Sequence, residues 1–290
     1  MTLRETAPAW RIGMIVPSSS TTMETEVPEL LRRQSQKSGD RFTCHAARLR
    51  LKQVTPEALA AMNESAGSGV AALCDAEVDA LIYACLVATM FGGKSSVLAT
   101  EERLTDAANR ASAGSPKAPP AIVSSAGALV AALQWLGARR VSLVTPYRKE
   151  LTAKVASAIA EYGIEVVQAH SRGVVDNVAV GRLCTQELIG IAGKLDLSGS
   201  DALVLSTCVQ MPSLDILDEV EQALGLPVVS AATASTHLLL QRLGIEPRIE
   251  RAGWLLRSPR PLAARAALHG SAYGRREGPD CDCSQASLAA

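Results

Sequence analysis

Two cysteines stand at the ends of two similar segments of the chain. Residues 79–85 read DALIYAC and end at Cys85, and residues 201–208 read DALVLSTC and end at Cys208. Two thiols facing one cleft suit proton transfer at a carbon centre, or addition of a thiolate to an activated double bond. Either reaction needs one sulfur as the thiolate and the other as the thiol, and backbone N–H groups or a helix start favour the thiolate.

Symmetry separates these two cysteines from the others. A cysteine at the end of a buried strand, taken alone, is more often a packing residue than a nucleophile. Packing residues have no reason to recur at the same place in two diverged segments, so we interpret Cys85 and Cys208 as functional. Cys44, Cys74 and Cys184 have no such partner, and we interpret them as packing residues.

Motifs for metals and cofactors are absent from the sequence. The chain contains no Gly-x-Gly-x-x-Gly, no phosphate loop, no Cys-x-x-Cys pair and no histidine cluster with zinc spacing. Cys281 and Cys283 form a lone pair of thiols, which is poor support for a metal site, and His45 and His237 are predicted to be packed or surface residues. We therefore expect neither a cofactor nor a metal.

Both cysteine segments are predicted to be buried strands. Each is a short aliphatic run, too short for a buried helix and typical of a parallel sheet that is covered on both faces. Ligands of such sheets collect beyond the carboxyl ends of the strands. The predicted strands therefore place both thiols where a ligand binds.

The rest of the chain repeats one α/β unit. The strand pattern of residues 11–17 recurs at 140–146, and the helix start at 55–57 recurs at 185–187, each at a similar interval from its cysteine. We predict two α/β domains with parallel sheets, related by a pseudo-twofold axis, with the active site between them. The predicted domains are residues 1–124 together with 231–257, and residues 125–230, followed by a disordered tail at 258–290.

Helices and strands alternate between these landmarks. Ser18, Ser19, Ser20 and Thr21 are the N-cap candidates of the first helix. Its predicted inward residues are Met23, Val27, Leu30 and Leu31. Further helices are predicted at 55–74, 96–109, 124–137, 148–162, 212–225 and 231–243, and further strands at 42–49, near 122 and at 226–230.

Composition excludes several classes of function. Lysine and arginine total 29, as do aspartate and glutamate, so no positive excess serves nucleic acid, and nine aromatic residues make a base-stacking platform unlikely. No run has the length of a membrane span, and the first ten residues do not read as a signal peptide. Seven scattered cysteines suit a reducing compartment. We expect a cytoplasmic protein that binds neither nucleic acid nor membrane.

Five separated motifs carry a family resemblance. They lie at residues 16–26, 83–88, 144–147, 176–177 and 208–214. In this order they resemble maleate cis-trans isomerases of the aspartate/glutamate racemase superfamily, over about residues 11–256. The resemblance implies two Rossmann-like halves around a cofactor-free site, and isomerisation of maleate to fumarate.

The resemblance also implies roles for individual residues. Cys85 is the nucleophile that forms a succinyl-cysteine adduct, and Cys208 donates and takes back a proton. The implied substrate-binding residues are Ser19, Ser20, Tyr147, Asn177, Val87 and Val209, with help from the backbone N–H groups of residues 18–21. Maleate isomerases usually carry asparagine where this chain has Ser20, so a substituted maleate is an alternative substrate. The basic segment 48–54 is a candidate lid, and we expect a homodimer.

Two other functions are compatible with the same residues. One is a racemase or epimerase of an amino acid or hydantoin, in which the two thiols act as opposed bases. The other is a non-catalytic binder of dicarboxylates, in which the cysteines only pack.

Overall fold

Two four-stranded parallel sheets form the frame of the protein, as the repeated pattern predicts. The computed structural model describes residues 9–257; the predicted tail, with Cys281 and Cys283, lies outside the described residues. The first sheet has the order β2-β1-β3-β4 and the second the order β6-β5-β7-β8. Because both sheets have the same order of strands, they are two copies of one topology. The strands are β1 Trp10–Pro17, β2 Phe42–Leu49, β3 Ala80–Tyr83, β4 Ala121–Ser124, β5 Arg140–Thr145, β6 Glu165–Ser171, β7 Ala202–Ser206 and β8 Val228–Ser230.

Helices connect the strands and cover the sheets. They are α1 Met23–Ser38, α2 Pro56–Asp75, α3 Leu86–Met90, α4 Gly93–Ala111, α5 Ser125–Trp135, α6 Lys149–Ala160, α7 Asn177–Val180, α8 Thr185–Ala192, α9 Leu214–Leu224, α10 Ala231–Arg242 and α11 Trp254–Arg257. The helix start at Thr55 is confirmed: its side chain accepts a bond from the Ala58 N–H at 3.3 Å, and Pro56 occupies the first helical position. The four predicted inward residues of α1 are buried.

Strand β6 was not predicted. Its sequence, EVVQAHS, alternates poorly, and its residues are exposed or half-buried. It lies at the edge of the second sheet, where it pairs only with β5. An edge strand needs no continuous apolar run, so its sequence gives a weak signal.

The acidic residue that opens each cysteine segment joins neighbouring strands. Asp79 Oδ2 accepts a bond from the Arg11 N–H at 2.7 Å, and Asp201 Oδ2 accepts one from the Arg140 N–H at 2.8 Å. Both contacts lie at the amino ends of the sheets, away from the thiols. The repeated aspartate therefore sets the pairing of the strands and takes no part in the chemistry.

The start of α1 differs from the prediction. Thr22 is the N-cap residue, and its side chain makes no capping bond. The hydroxyl of Ser19 donates to the Leu51 carbonyl at 2.5 Å, and the hydroxyl of Ser18 accepts from the Leu51 N–H at 3.1 Å. The two serines thus hold the loop that follows β2 instead of capping the helix.

Helix α10 follows the second sheet in the chain but packs against α1 and α5, and also contacts β3 and β4 of the first sheet. This packing is consistent with the return of residues 231–257 to the first half, while the domain boundaries themselves stay a prediction. Among residues 9–257, no helix is both long and apolar enough to cross a bilayer.

Candidate active site

The two thiols lie just beyond the ends of corresponding strands. Cys85 follows β3 by two residues and is the N-cap residue of α3, and Cys208 follows β7 by two residues. They are only 3% and 5% exposed. Because β3 and β7 occupy the same place in their sheets, each half contributes one sulfur from the equivalent position.

Sheet register brings the partner residues beside the thiols. Ile15 of β1 pairs with Tyr83 of β3, so the turn after β1 runs beside the segment that carries Cys85. Leu143 of β5 pairs with Val204 of β7. Tyr147 lies four residues beyond the first member of that pair and Cys208 four beyond the second, so the two arrive side by side.

Burial governs the ionisation of Cys85. It raises the pKa of this thiol to about 12; the backbone N–H of Ala88 lowers the pKa, and the charge of Cys208 raises it. The mutual influence of the two sulfurs means that protons leave them as a pair. The helix start does aid the thiolate, as predicted, but burial outweighs it.

The environment of Cys208 is richer in donors. Burial raises its pKa, whereas the Tyr147 hydroxyl and the backbone N–H groups of Gln210 and Met211 lower it. The Gln210 N–H lies 3.4 Å from the sulfur. A thiolate at Cys208 is therefore better solvated by the protein than a thiolate at Cys85.

Tyr147 connects the second sheet to the thiols. Its side chain is 4% exposed, and its phenol lies beside Cys208, whose pKa it lowers. Burial, with the charges of both cysteines, raises the pKa of this phenol well above its ordinary value. Tyr147 is therefore a neutral donor at physiological pH. Its carbonyl accepts a bond from the Gly173 N–H at 2.9 Å, which fixes the residue against the loop that follows β6.

Asn177 contacts the turn of residues 18–21, here called the serine turn, from the other half of the chain. Its side-chain amide donates to Ser19 Oγ at 2.8 Å and to Ser20 Oγ at 3.2 Å. The Asp176 carboxylate caps α7 through the Val178 N–H at 2.7 Å, which places Asn177 at the first position of that helix. Three of the predicted substrate-binding residues thus form one cluster.

Two predicted residues flank the thiols along the chain. Val87 lies in α3, two residues after Cys85, and Val209 directly follows Cys208. They are 4% and 5% exposed.

The prediction that the backbone of residues 18–21 offers its N–H groups to a substrate is wrong at three positions. The Ser18 N–H donates to the Leu49 carbonyl at 2.6 Å and the Ser20 N–H to the Pro17 carbonyl at 2.8 Å. The Thr21 N–H donates to Gln210 Oε1 at 2.7 Å. These three groups already have partners within the protein, so they are not free to bind a substrate.

Sequence reasoning missed the roles of Gln210 and Glu26. Gln210 Oε1 accepts from the N–H groups of Thr21 and Thr22, and Glu26 Oε1 accepts from those of Ser213 and Leu214, all between 2.7 and 3.1 Å. The one available signal was a polar side chain within an otherwise buried motif. Neither contact has a sequence signature, because each joins residues more than 180 positions apart.

The predicted lid, residues 48–54, begins inside β2. The Arg48 guanidinium donates to the carbonyls of Ser18 and Ser20 at 3.0 and 2.8 Å and pairs with Glu24, so it holds the serine turn. Further along this segment, Gln53 forms an antiparallel bridge with Asp176. Loops from the two halves therefore meet directly before Asn177. A lid role for the segment stays a prediction.

An apolar cavity adjoins Tyr147. Its volume is about 340 Å³. It lies between the starts of α2 and α6, and its walls include Leu59, Phe91, Leu151 and Val174. Lys154 stands over the Phe91 ring, 4.3 Å from its centroid, and places one cation beside the cavity.

Comparison with known proteins gives consistent matches. Residues 12–256 match the sequence profile of the family described as arylmalonate decarboxylase. The maleate isomerase of Geobacillus stearothermophilus is 43% identical over 248 residues, which covers 85% of this chain and 97% of that protein.

Two solved structures resemble the fold closely. One is a cysteine mutant of the maleate isomerase of Pseudomonas putida S16 with maleate, at 40% identity and a TM-score of 0.83, covering 86% of this chain and 98% of that one. The other is a cysteine-to-serine mutant of Nocardia farcinica maleate cis-trans isomerase with a covalently bound succinylcysteine intermediate. It is 41% identical with a TM-score of 0.81, and the match covers 86% of this chain and 99% of that one.

Proposed function

We propose, from the premise that this chain belongs to the arylmalonate decarboxylase family and within it to the maleate isomerases, that it converts maleate to fumarate. The pair of buried, interacting thiols at equivalent positions of the two halves carries this proposal. A relative that is 41% identical holds a succinylcysteine intermediate, and a thiol of this site is suited to form the same adduct.

The first step is an addition across the double bond. The Cys85 thiolate forms a carbon–sulfur bond to one alkene carbon, and the Cys208 thiol gives its proton to the neighbouring carbon. The products are a succinyl adduct on Cys85 and a thiolate on Cys208. Charge is conserved: one thiolate enters the step and one leaves it, so no oxidant or reductant is required.

The second step reverses the first after a rotation. The former double bond is now single and turns freely, which brings the two carboxylates to opposite sides. The Cys208 thiolate then removes a proton from the carbon that it had protonated, the carbon–sulfur bond breaks, and fumarate leaves. Cys85 departs as the thiolate, and the pair returns to its starting state.

The unequal surroundings of the sulfurs support this assignment of roles. Cys208 receives a hydroxyl and two backbone N–H groups, and therefore tolerates the negative charge that it acquires during the addition. Of the described groups that affect the pKa of Cys85, the Ala88 N–H alone lowers it, so the Cys85 thiolate is poorly solvated. A poorly solvated thiolate is the stronger nucleophile.

Neutral donors hold the two carboxylates of the substrate. Ser20 supplies a hydroxyl proton, and the Asn177 amide, which donates to Ser19 Oγ and Ser20 Oγ, orients that hydroxyl. The neutral phenol of Tyr147 lies beside the Cys208 sulfur, and Val87 and Val209 line the site. The donors are fixed before the substrate arrives, so little reorganisation opposes the reaction.

Location and assembly follow from chemistry and base rates. Both thiols must stay reduced, which favours the cytoplasm. A homodimer with twofold symmetry is the commonest assembly of soluble enzymes, and light scattering on the purified protein measures it.

The test uses the purified protein with maleate as the only added reactant. Fumarate is followed by proton NMR after treatment of the protein with a chelator and removal of small molecules. We expect conversion of maleate to fumarate without any added cofactor, metal or second reactant. Absence of conversion at every pH from 6 to 9 contradicts the proposal.

A further inference from the structure

Helices α1 and α9 cap each other across the two halves of the protein. Helix α1 begins at Met23 without a side-chain cap of its own. The side-chain oxygen of Gln210 accepts the N–H groups of Thr21 and Thr22 at 2.7 and 3.1 Å. The start of α1 is therefore satisfied by a residue from the other half.

Helix α9 shows the reverse arrangement. Its N-cap residue, Ser213, makes no side-chain capping bond, and the Ser213 hydroxyl has no hydrogen-bond partner. Glu26 of α1 accepts the N–H groups of Ser213 and Leu214 at 2.7 and 2.8 Å, both through Oε1. Each helix thus supplies, directly or through the preceding loop, the cap of the other.

The loop that supplies Gln210 and leads into α9 also carries Cys208. The Gln210 N–H points to the Cys208 sulfur at 3.4 Å, and the Thr22 hydroxyl donates to the Gln210 carbonyl at 2.7 Å. The Ser206 hydroxyl donates to the carbonyls of Cys208 and Met211 at 3.0 and 2.9 Å. This loop is consequently fixed at both ends and in its middle.

The Gln210 side chain also contacts the serine turn. Gln210 Nε2 donates to the Ser19 carbonyl at 3.3 Å. One side chain therefore touches the turn that holds Ser19 and Ser20, while its own backbone touches the sulfur of Cys208. No other described contact joins these two parts of the site so directly.

We propose that Gln210 and Glu26 are positioning residues that hold Cys208 and the serine turn in one rigid frame. The proposal rests on the proposed function, in which the proton donor and the carboxylate-binding turn must act on one substrate. A misplacement of about 1 Å in such a frame costs about a hundredfold in rate.

An amide suits position 210 better than a carboxylate. A carboxylate caps a helix start more strongly, because it meets the positive end of the helix dipole. At this position it also places a negative charge beside the turn that receives a dianion. Glutamine caps the helix without that charge, and Gln210 is 2% exposed, so a charge there is poorly screened.

Glu26 keeps its capping bonds in either protonation state. Burial raises its pKa to about 7, the Ser213 and Leu214 N–H groups lower it, Asp215 raises it and Arg33 lowers it. Both N–H groups bond to Oε1, which leaves Oε2 to carry the proton. Glutamine at position 26 therefore reproduces the acceptor.

Gly181 offers a way to move Gln210 without replacing it. A Cβ added at Gly181 overlaps the side-chain amide of Gln210, whereas the backbone of Gly181 has an ordinary φ of −69°. Gly181→Ala therefore displaces a flexible side chain and leaves the backbone unstrained.

The experiment compares Glu26→Ala, Glu26→Gln, Gln210→Ala and Gly181→Ala with the wild type. The matched control is Glu221→Ala, since Glu221 is also buried and also accepts two backbone N–H groups, from Val228 and Trp254 at 3.0 and 2.8 Å. Measurements are kcat and KM for maleate, the melting temperature, and the rate at which iodoacetamide labels Cys208 relative to Cys85, resolved by peptide mass spectrometry.

Three results are expected. Glu26→Ala lowers kcat by about tenfold or more, and Glu26→Gln restores most of it. Gln210→Ala and Gly181→Ala raise KM and lower kcat together. The relative labelling of Cys208 rises about fivefold in the alanine variants at 26, 181 and 210 but not in Glu221→Ala, which loses only stability.

The labelling arm separates this proposal from the proposed function. Labelling needs no turnover. If the wild type is inactive on maleate and Cys208 is nevertheless labelled faster in the variants, the frame is supported and the proposed function is contradicted. If Glu26→Ala and Gly181→Ala keep the wild-type kcat, KM and relative labelling of Cys208, whatever their melting temperatures, the positioning role is wrong. Gly181→Ala decides the outcome if the other variants do not fold.

Discussion

The Tyr147 phenol stands beside Cys208 and lowers the pKa of its thiol, and this contact makes the two thiols unequal. Cys85 has no phenol beside its sulfur among the groups that lower its pKa. In the proposed mechanism, the charge that Cys208 acquires after proton donation is therefore met by a donor already in place. Both halves contribute a cysteine from the same strand position, yet only the second half adds a tyrosine two residues past the neighbouring strand β5.

Tyr147→Phe should slow the reaction while keeping the fold. It removes a hydrogen bond to a developing thiolate, which is worth about 1.5–3 kcal/mol, so we expect kcat to fall by about ten- to a hundredfold. Steady-state kinetics on maleate measure this. Tyr162→Phe is the control, because Tyr162 is half-buried, packs near Lys94 and is not part of the site. A Tyr147→Phe variant with wild-type kcat contradicts the assigned contact.

Replacement of each cysteine by serine should give different outcomes. Cys85→Ser should abolish turnover, because a serine hydroxyl forms no alkoxide near neutral pH without a base. Cys208→Ser should still allow a slow addition, with the proton supplied by water, but should hinder collapse because the thiolate base is missing, so that the intact protein gains the mass of one substrate.

Intact-protein mass spectrometry and NMR read out both cysteine variants. Cys74→Ser is the matched control and should behave as the wild type, because Cys74 lies in α2 and is not part of the site. Wild-type turnover by Cys85→Ser excludes it as the nucleophile.

The strands that carry the thiols were predictable because their information is local. An aliphatic run that begins at Asp79 or Asp201 encodes both the strand and the bond that fixes its neighbour. The capping of α1 was not predictable, since Gln210 reaches it from the other half of the chain. Serines before a helix usually act as caps, and here the long-range amide displaced them. The position of both thiols beyond corresponding strands was thus predictable, whereas the contacts that hold them were not.

The pH dependence of kcat/KM should rise on the alkaline side. Burial raises the pKa of both thiols, so the thiolate of the free enzyme is a small fraction at pH 7 and grows about tenfold per pH unit until the pair loses its first proton. We expect kcat/KM to increase from pH 7 to pH 9, measured in buffers of constant ionic strength. A profile that is flat from pH 6 to pH 8 contradicts a buried thiol pair as the source of the nucleophile.

Stability should depend on pH through Glu26. Its folded pKa is raised to about 7, so folding favours the protonated form. This contribution is present below the ordinary pKa of glutamate and is lost as the pH rises through about 7, by up to about 3 kcal/mol.

The control for this effect is Glu26→Gln, which does not titrate. The free energy of unfolding is measured by urea titration at pH 5 and at pH 8. From pH 5 to pH 8, that of the wild type should fall relative to that of the variant. An unchanged difference between the two proteins at these pH values shows that Glu26 does not titrate in this range.

Ser20 should set how tightly maleate is held and which substituted maleates enter. Its hydroxyl accepts from the Asn177 amide at 3.2 Å. The residue is 1% exposed, so neighbouring protein atoms fill the space behind it. Asparagine at this position adds an N–H donor and extends toward the substrate. We expect Ser20→Asn to lower KM for maleate several-fold and to lower kcat/KM for methylmaleate, because the longer side chain occupies the room of the methyl group. Ser20→Ala removes the hydroxyl without adding volume and should weaken the binding of maleate and of methylmaleate to the same extent. If Ser20→Asn leaves the ratio of the two kcat/KM values unchanged, this position does not determine the choice of substrate.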